Sequence, residues 1–348
     1  MKRIITCSDG TWNRPNIDEK TNVQKMFDFI KRRDANGVEQ VKIYDEGIGS
    51  SGNALVRMFN GATGKGIDEN IRDIYKFICW NYETGDDLFL FGFSRGAYTA
   101  RSLAGLIRKC GIIRHNDIDL VAKAYELYRN KSVLSGDEKA VQFRKENSYE
   151  SATIKLIGVW DTVGSLGIPL HFLQWYNKRR YTFYDTRLSS IIEHAYHALA
   201  VDERRKNFVP TLWEKSAEEP KGFKQVLEQR WFPGVHSNVG GGYPDTGLSD
   251  IALKWLFRKA AAVGLEMDQR IHELPDKYDA TIYDSTKGVF SLLPKATRKI
   301  VVDNVESFID ESVYRRMEIL GDKYRPVNVL NAEIKKPANK EIAEPQLL

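Results

Sequence analysis

Five apolar runs along the chain are rich in β-branched and aromatic residues, and each ends in a polar or glycine-containing turn. They are RIITC at 3–7, VKIYDEGIG at 41–49, LFLFGF at 88–93, TIKLIGVWD at 153–161 and EQRWFPGVH at 228–236. Runs of this length and composition are typical of strands buried on both faces of a sheet. We therefore predict a strand in each of them.

Segments between these runs carry apolar residues at steps of three and four, which is the spacing of one helix face. These segments are 22–33, 67–82, 97–109, 121–131 and 250–263. The stretch IIEHAYHAL has the same spacing, so we expect His194 and His197 to be structural residues on a helix. Alternating strands and helices predict an α/β fold, a three-layer sandwich with a mostly parallel central sheet. Functional groups of such sheets gather at the carboxyl ends of the strands.

The composition fits a globular protein with a sizeable core, because 42% of its 348 residues are hydrophobic and 28% are charged. The net charge of +5 comes from basic residues spread along the chain, which argues against a nucleic-acid partner. The N-terminus lacks the apolar core of a secretory signal, and no window is apolar enough to cross a bilayer. We expect a cytoplasmic protein, for which export without a signal peptide stays open. Cys7, Cys79 and Cys110 are expected to be reduced thiols.

No shift in composition marks a domain boundary before about residue 330. We therefore predict one domain over residues 1–330 and a polar, poorly ordered tail over residues 331–348. The sequence contains no internal repeat, and it leaves the oligomeric state open.

The segment Gly92-Phe93-Ser94-Arg95-Gly96 matches G-x-S-x-G, with a predicted strand before it and a predicted helix after it. In that context the serine lies on a strained turn that presents its hydroxyl above the sheet, and the two glycines leave room for the strand and the helix. The backbone N–H of Arg95 then faces the place where an oxyanion would form. The alternative is a plain strand-to-helix turn with a capping serine.

A serine nucleophile needs a base and an acid that orients the base, in the chain order serine, acid, histidine. His236 lies where a predicted strand gives way to the glycine-rich loop SNVGGGY, and Asp161 ends a continuous apolar run. We therefore predict Ser94, Asp161 and His236 as a catalytic triad. The second choice for the acid is Asp202, although its neighbours indicate an ion-pair network.

The remaining candidates have simpler interpretations. His171 lies in an aromatic segment, and His115 and His272 are typical of surface loops or helix ends. Asp245 and Asp250 are predicted to cap the helix that follows them. The charged neighbours of Asp202 are Glu203, Arg204 and Arg205.

The turn SDGTWN at 8–13 follows the first predicted strand. It is similar to a phosphatase loop, but Cys7 stands where that chemistry needs its nucleophilic aspartate, so we exclude that function. Backbone N–H groups of Gly10 and Thr11 could instead complete an oxyanion hole, with Asp9 holding the turn. An ordinary Asp-Gly turn is the alternative.

The glycine-rich segment at 60–71 lacks the spacing of a nucleotide-binding P-loop, because no serine or threonine follows its lysine. It is more typical of a flexible loop near the rim of a site. Histidines, cysteines and carboxylates show no metal-ligand spacing either. The sequence therefore predicts no cofactor and no obligatory metal.

Taken together, these motifs resemble the type VI secretion lipase-effector-like family of α/β-hydrolases. The resemblance is carried, in order, by DGTWN, GIDENIRDIYKFICWNY, GFSRGAYTAR, GVWDTVGSLG, HALAVDERR, WFPGVHSNVGGGY, LSDIALKWL and YRPVNV. It implies an α/β-hydrolase fold whose catalytic domain spans residues 1–330, and it places the triad on Ser94, Asp161 and His236.

The resemblance also implies the substrate class, since characterised members of that family are phospholipases. An acyl-ester or phospholipid substrate and a peripheral membrane contact are therefore expected, and the resemblance allows for an immunity protein as a partner. The aromatic and basic segment at 169–184 would suit an apolar lid or acyl pocket, or simple core packing.

Three functions follow from these residues. The first is a serine esterase or lipase of the phospholipase type. The second is a soluble esterase or thioesterase with a small substrate. The third is a non-catalytic member of the fold that uses the cleft for binding. A complete set of triad candidates favours the first two.

Overall fold

The computed structural model describes residues 1–10, 19–47, 66–114, 118–149, 152–163, 187–215, 222–287, 291, 294–303 and 305–334. Its strands are β1 Arg3–Ser8, β2 Gln40–Asp45, β3 Asp87–Phe93, β4 Ile154–Trp160, β5 Ile192–Ala200, β6 Val226–Phe232, β7 Val301–Val302, β8 Ser307–Ile309 and β9 Glu333–Ile334. Seven of them form one sheet in the order β2-β1-β3-β4-β5-β6-β8, and every neighbouring pair is parallel. The carboxyl ends of these strands therefore lie along one edge.

Helices cover both faces of this sheet. They are α1 Asn22–Phe29, α2 Ile67–Asn81, α3 Arg95–Cys110, α4 Ile118–Arg129, α5 Glu138–Asn147, α6 His236–Gly240, α7 Gly247–Ala262, α8 Glu311–Leu320 and α9 Val327–Leu330. Apolar residues of α2, α3 and α4 pack on one face of the sheet, and those of α1 and α7 pack on the other. The predicted three-layer α/β architecture with a parallel sheet is confirmed.

The five predicted strands and the five predicted helices all occur, with ends that differ by a few residues. The helix expected around His194 and His197 is wrong, because both residues lie in β5. This strand pairs with β4 on one side and with β6 on the other. Residues 195–200 are consecutively buried, so their apolar character belongs to a central strand covered on both faces rather than to one face of a helix.

The C-terminal part of the described chain packs on the same body. A third apolar cluster joins residues of β5 and β6 to Val313 of α8 and to Val329 of α9. Strands β7 and β9 pair beside it, so the segment predicted as a tail begins within a small sheet, and residues 335–348 lie outside the described residues. Among the described helices, none combines the length and the apolar character needed to cross a membrane.

Candidate active site

Ser94 lies on a sharp turn between β3 and α3. Its backbone has φ 56° and ψ −115°, a conformation that L-residues rarely adopt, and its N–H donates to the carbonyl of Trp160 at 3.1 Å. A Cβ on Gly92 would lie 2.4 Å from the carbonyl oxygen of Gly96, and one on Gly96 would lie 1.9 Å from the carbonyl oxygen of Ser8. Both positions thus require glycine, and the turn presses α3 against the ends of β1 and β3.

Asp161 directly follows β4, the strand next to β3. Its backbone also has a positive φ, 41°, and among the described residues only Ser94 and Asp161 combine a side chain with such a φ. The carboxylate is fully buried and accepts the backbone N–H of Ala200 at 3.0 Å. The unusual backbone therefore turns this side chain into the interior at the carboxyl edge of the sheet.

His236 is the first residue of the short helix α6, so the expectation of a strand-end loop is wrong at this position. Its Nδ1 lies 2.6 Å from Oδ2 of Asp161, and its Nε2 lies 2.9 Å from Oγ of Ser94. An ionised carboxylate only accepts hydrogen bonds, so Nδ1 carries the proton and Nε2 is left to accept the serine hydroxyl. The arrangement can remove a proton from Ser94.

Two aromatic rings fix the plane of the His236 ring. Phe93 lies with its centroid 4.7 Å from the imidazole, and Phe208 packs edge-on at 5.2 Å. Burial lowers the pKa of His236, while Asp161 acts in the opposite direction and leaves the net pKa below the ordinary 6.5. The imidazole is therefore neutral at pH 7, as a proton acceptor must be.

Arg298 forms a two-pronged ion pair with Asp161. Its Nη1 lies 2.6 Å from Oδ1 and its Nη2 lies 2.9 Å from Oδ2. Burial alone would raise the pKa of Asp161, but Arg298 and His236 outweigh it and hold that pKa well below its usual range. Asp161 is thus an anion over the whole physiological range of pH. The sequence around Arg298 contains no motif that predicts this role.

Glu203 supports the other side of His236. Its carboxylate accepts the backbone N–H of His236 at 3.2 Å and pairs with Arg205 through two bonds of 2.8 Å. The guanidinium of Arg205 lies 3.5 Å from the ring centroid of Phe208, the ring that packs on His236. The ion pairing predicted from the charged neighbours of Asp202 is therefore formed by Glu203 and Arg205. Asp202 itself accepts the N–H of Gly234 and the hydroxyl of Tyr324.

The carboxylates predicted as helix caps lie at the start of α7. Asp245 accepts the N–H of Gly247 at 3.3 Å and the N–H of Thr281 at 2.8 Å. Asp250 lies in the first turn and accepts the Thr246 hydroxyl and the ammonium of Lys25. Both therefore hold the helix terminus rather than the histidine.

Asp9 holds the turn that follows β1, as the sequence suggested. Its Oδ1 accepts the N–H of Gly10 at 2.6 Å, and its Oδ2 accepts the hydroxyls of Thr21 and Tyr44. The carbonyl of Asp9 lies 2.6 Å from where a Cβ on Gly96 would stand, so this turn borders the serine turn. Since the Gly10 N–H is engaged by Asp9, a role as an oxyanion donor would require this N–H to be shared.

Several predicted features lie outside the described residues. They are Thr11, His115, His171, residues 60–65 of the glycine-rich segment and the segment 169–184. Arg95 is the first residue of α3, and its buried side chain has a pKa lowered by burial to about 9. His272 lies in a short 3₁₀-helix at Gln269–Glu273, away from Ser94 in sequence and packed on Phe257.

The chain is similar to proteins of bacteria and yeast. An uncharacterized protein of Saccharomyces cerevisiae, YEL023C, is 30% identical over 228 aligned residues, and this match covers 60% of this chain and 32% of the yeast protein. A crystal structure of an uncharacterized protein from Pseudomonas aeruginosa matches 76% of this chain and 46% of its own, with 18% identity and a TM-score of 0.42. The chain thus spans about a third of the yeast relative.

Another solved structure, the Tle1 effector bound to the VgrG spike of the type 6 secretion system, matches 70% of this chain and 52% of its own. That match has 20% identity and a TM-score of 0.39. The family model for the catalytic domain of Tle1-like type VI secretion phospholipase effectors matches residues 2–259. Because this match covers well over half of its 348 residues, the chain belongs to the Tle1-like family of type VI secretion phospholipase effectors, by its catalytic domain.

Proposed function

We propose that the chain is a serine esterase of the phospholipase type, with Ser94 as nucleophile, His236 as general base and Asp161 as the acid that orients the base. The observation that carries the proposal is the hydrogen-bonded row from Asp161 through His236 to Ser94, with bonds of 2.6 and 2.9 Å. The positive φ of Ser94, which such an exposed nucleophile commonly has, supports the same role.

The reaction would proceed through an acyl-enzyme. His236 takes the hydroxyl proton of Ser94 while the oxygen attacks the ester carbonyl, and the imidazolium that forms is stabilised by ionised Asp161. The N–H of Arg95, at the positive end of α3, stabilises the oxyanion, with the turn at Gly10 and Thr11 as the candidate second donor. His236 then protonates the leaving alcohol and activates the water that releases the acid.

The substrate class we propose is an acyl ester of a glycerophospholipid, since the family consists of phospholipase effectors. We further propose that one catalytic domain spans residues 1–330, that contact with a membrane is peripheral, and that an immunity protein is a candidate partner. The described part of the C-terminal segment supports the single domain, because Arg298 reaches Asp161 and α8 packs against strands of the central sheet.

The first test compares the wild-type protein with Ser94→Ala. We expect a fluorophosphonate probe to label the wild type covalently and to leave Ser94→Ala unlabelled, because only an activated serine reacts. Mass spectrometry of the labelled peptide locates the adduct, and circular dichroism checks that both proteins are folded. A wild type that is neither labelled nor active on any ester would contradict the proposal and favour a binding member of the fold.

A second measurement separates a lipase from a small-molecule esterase. We expect hydrolysis of short-chain p-nitrophenyl esters to be slow and hydrolysis of phospholipid vesicles to be fast, both lost by at least about 1,000-fold in Ser94→Ala. Rates that rise when the lipid forms micelles indicate a lipase. Equal rates on monomeric and aggregated substrates would favour the soluble esterase or thioesterase instead.

A further inference from the structure

Arg298 lies beyond residue 259, where the match to the family's catalytic domain ends. Its segment is held against the loop after β5 by backbone hydrogen bonds, from Lys206 N–H to Pro294 and from Ala296 N–H to Arg204. The side chain is only 4% exposed and enters the interior from this segment. Arg298 thus contacts Asp161, the acid of the candidate triad, from 137 positions further along the chain.

The guanidinium of Arg298 makes four hydrogen bonds, all of them to groups around Asp161. Two go to the two carboxylate oxygens, one goes to the carbonyl of Ala200 at 2.9 Å, and one goes to the carbonyl of Phe208. The N–H of Ala200 is also bonded to Oδ1 of Asp161. The planar fork therefore fixes the carboxylate to β5, and it ties the same carboxylate to the backbone of Phe208, whose ring packs on His236.

We infer that Arg298 is a positioning residue of the candidate active site: its guanidinium holds the Asp161 carboxylate in the orientation that His236 requires, and its charge sets the lower limit of the pH range in which His236 is a base. The inference rests on the proposed function. The row of hydrogen bonds runs from Arg298 through Asp161 and His236 to Ser94. Arg298 therefore acts on His236 through the acid.

The sign of the charge effect follows from the groups that face the pair. Within the part of the chain that the structure describes, the charged and titratable groups that face Asp161 or His236 are Arg298, Glu203, Arg205 and His197, and Arg101 acts on His197. A cation next to the pair disfavours the imidazolium, so removing Arg298 favours protonation of His236. Since a general base must be deprotonated, the fall of the rate on the acid side moves to higher pH when the cation is lost.

Two substitutions separate charge from geometry. Arg298→Lys keeps the charge and loses the planar fork, whereas Arg298→Met loses both. A matched control is Arg316→Met, since Arg316 is equally buried in the C-terminal segment but donates to the carbonyls of Tyr278 and Ala280. The rate of labelling by a fluorophosphonate is measured from pH 4 to 9 for all four folded proteins.

We expect Arg298→Met to label about 100-fold more slowly than the wild type, as a misplaced catalytic group does. The fall of its labelling rate on the acid side, called the acid limb, should lie about one pH unit higher than in the wild type. Arg298→Lys should lose rate, by about 10-fold, with its acid limb unchanged. Arg316→Met should keep both the rate and the limb of the wild type, although it lowers the melting temperature.

Two results would overturn the inference. One is wild-type rate and wild-type acid limb in Arg298→Lys and Arg298→Met. The other is an equal loss of rate, with no shift of the limb, in Arg298→Met and in Arg316→Met, since that pattern indicates stability alone. If Arg298→Met does not fold, an unchanged rate in Arg298→Lys still refutes the role of the fork. Failure of the proposed function is separate, because then the wild type itself stays unlabelled.

Discussion

The two halves of the candidate active site are built in different ways. The serine half is made by the backbone: Ser94 is held by a strand, a turn and a helix, and Gly92 and Gly96 allow these elements to meet. The acid–base half is made by side chains, since Asp161 and His236 are held by Arg298 and Glu203 through buried ion pairs and hydrogen bonds.

This difference determines how each half responds to substitution. Backbone packing at the serine turn leaves no room for even one added carbon, so a small change there acts on the whole fold. Ion pairs of the acid–base half depend on ionisation, so their contribution to the free energy of unfolding changes with pH and with the loss of either partner. Substitutions in the two halves should therefore be distinguished by their size and by their dependence on pH.

The largest effect is expected from Gly96→Ala in the serine half. The added Cβ would lie 1.9 Å from a backbone oxygen of Ser8, so α3 must move away from β1. We expect a loss of at least about 3 kcal/mol in the free energy of unfolding, measured with urea, despite alanine's better helix propensity. Gly136→Ala is the control, because its Cβ would meet no atom within 4 Å and should change stability by less than about 0.5 kcal/mol. Equal stabilities of the two variants would contradict the close approach.

An intermediate, pH-dependent effect is expected from Glu203→Gln in the acid–base half. Although burial raises the pKa of Glu203, Arg205 outweighs it and lowers that pKa from 4.5 to about 2. The ionised form therefore adds stability above pH 4.5, and this contribution is lost as the pH falls toward 2. We expect the variant to be about 2 kcal/mol less stable at pH 7, with a gap that closes on acidification.

Urea unfolding at a series of pH values measures this gap. Asp268→Asn serves as the control, because the pKa of Asp268 is also lowered to about 2, by Arg270, but the carboxylate lies at the surface, where solvent weakens the interaction. Its gap should be clearly smaller than that of Glu203→Gln. A gap for Glu203→Gln that is the same at pH 7 and at low pH would show that packing, not charge, supports His236.

The smallest effects are expected from Asp9→Asn and Tyr44→Phe, at the turn where the serine half does depend on a side chain. The amide keeps one accepting oxygen but loses the charge that Gly10, Thr21 and Tyr44 donate to, so we expect a loss of about 1 kcal/mol by urea unfolding. Tyr44→Phe removes one of these donors and should cost about half as much. A larger loss in Tyr44→Phe than in Asp9→Asn would show that the ring, not the carboxylate, holds the turn.

The serine half and the central sheet were predictable because their signals are local. G-x-S-x-G places strand, turn and helix within a few residues, and Asp161 and His236 are polar residues at the ends of apolar runs. The structure brings these three side chains together, while their catalytic roles stay predictions. Parallel strands make such choices possible, because all their carboxyl ends share one edge.

The residues that support the acid and the base were not predictable in the same way. Arg298 is separated from Asp161 by 137 positions and lies between Lys295 and Lys299, which are exposed, so nothing local distinguishes the buried cation from its neighbours. The strand β5 was missed for a related reason. Its edges pair with β4 and β6 while separate apolar clusters cover its two faces, and these long-range contacts leave no local signal, since the spacing of its apolar residues fits a helix equally well.

The two positive φ angles bear on how the chain could change over generations. A side chain in the left-handed region costs about 1–2 kcal/mol, and glycine would remove that cost at Ser94 and at Asp161 in a single substitution each. At Ser94 a lineage with no use for the side chain would gain stability by drifting to glycine, whereas at Asp161 glycine would also leave the buried guanidinium of Arg298 without its carboxylate partner. The proposed role of Ser94 as nucleophile therefore predicts that selection keeps its side chain against the more stable glycine.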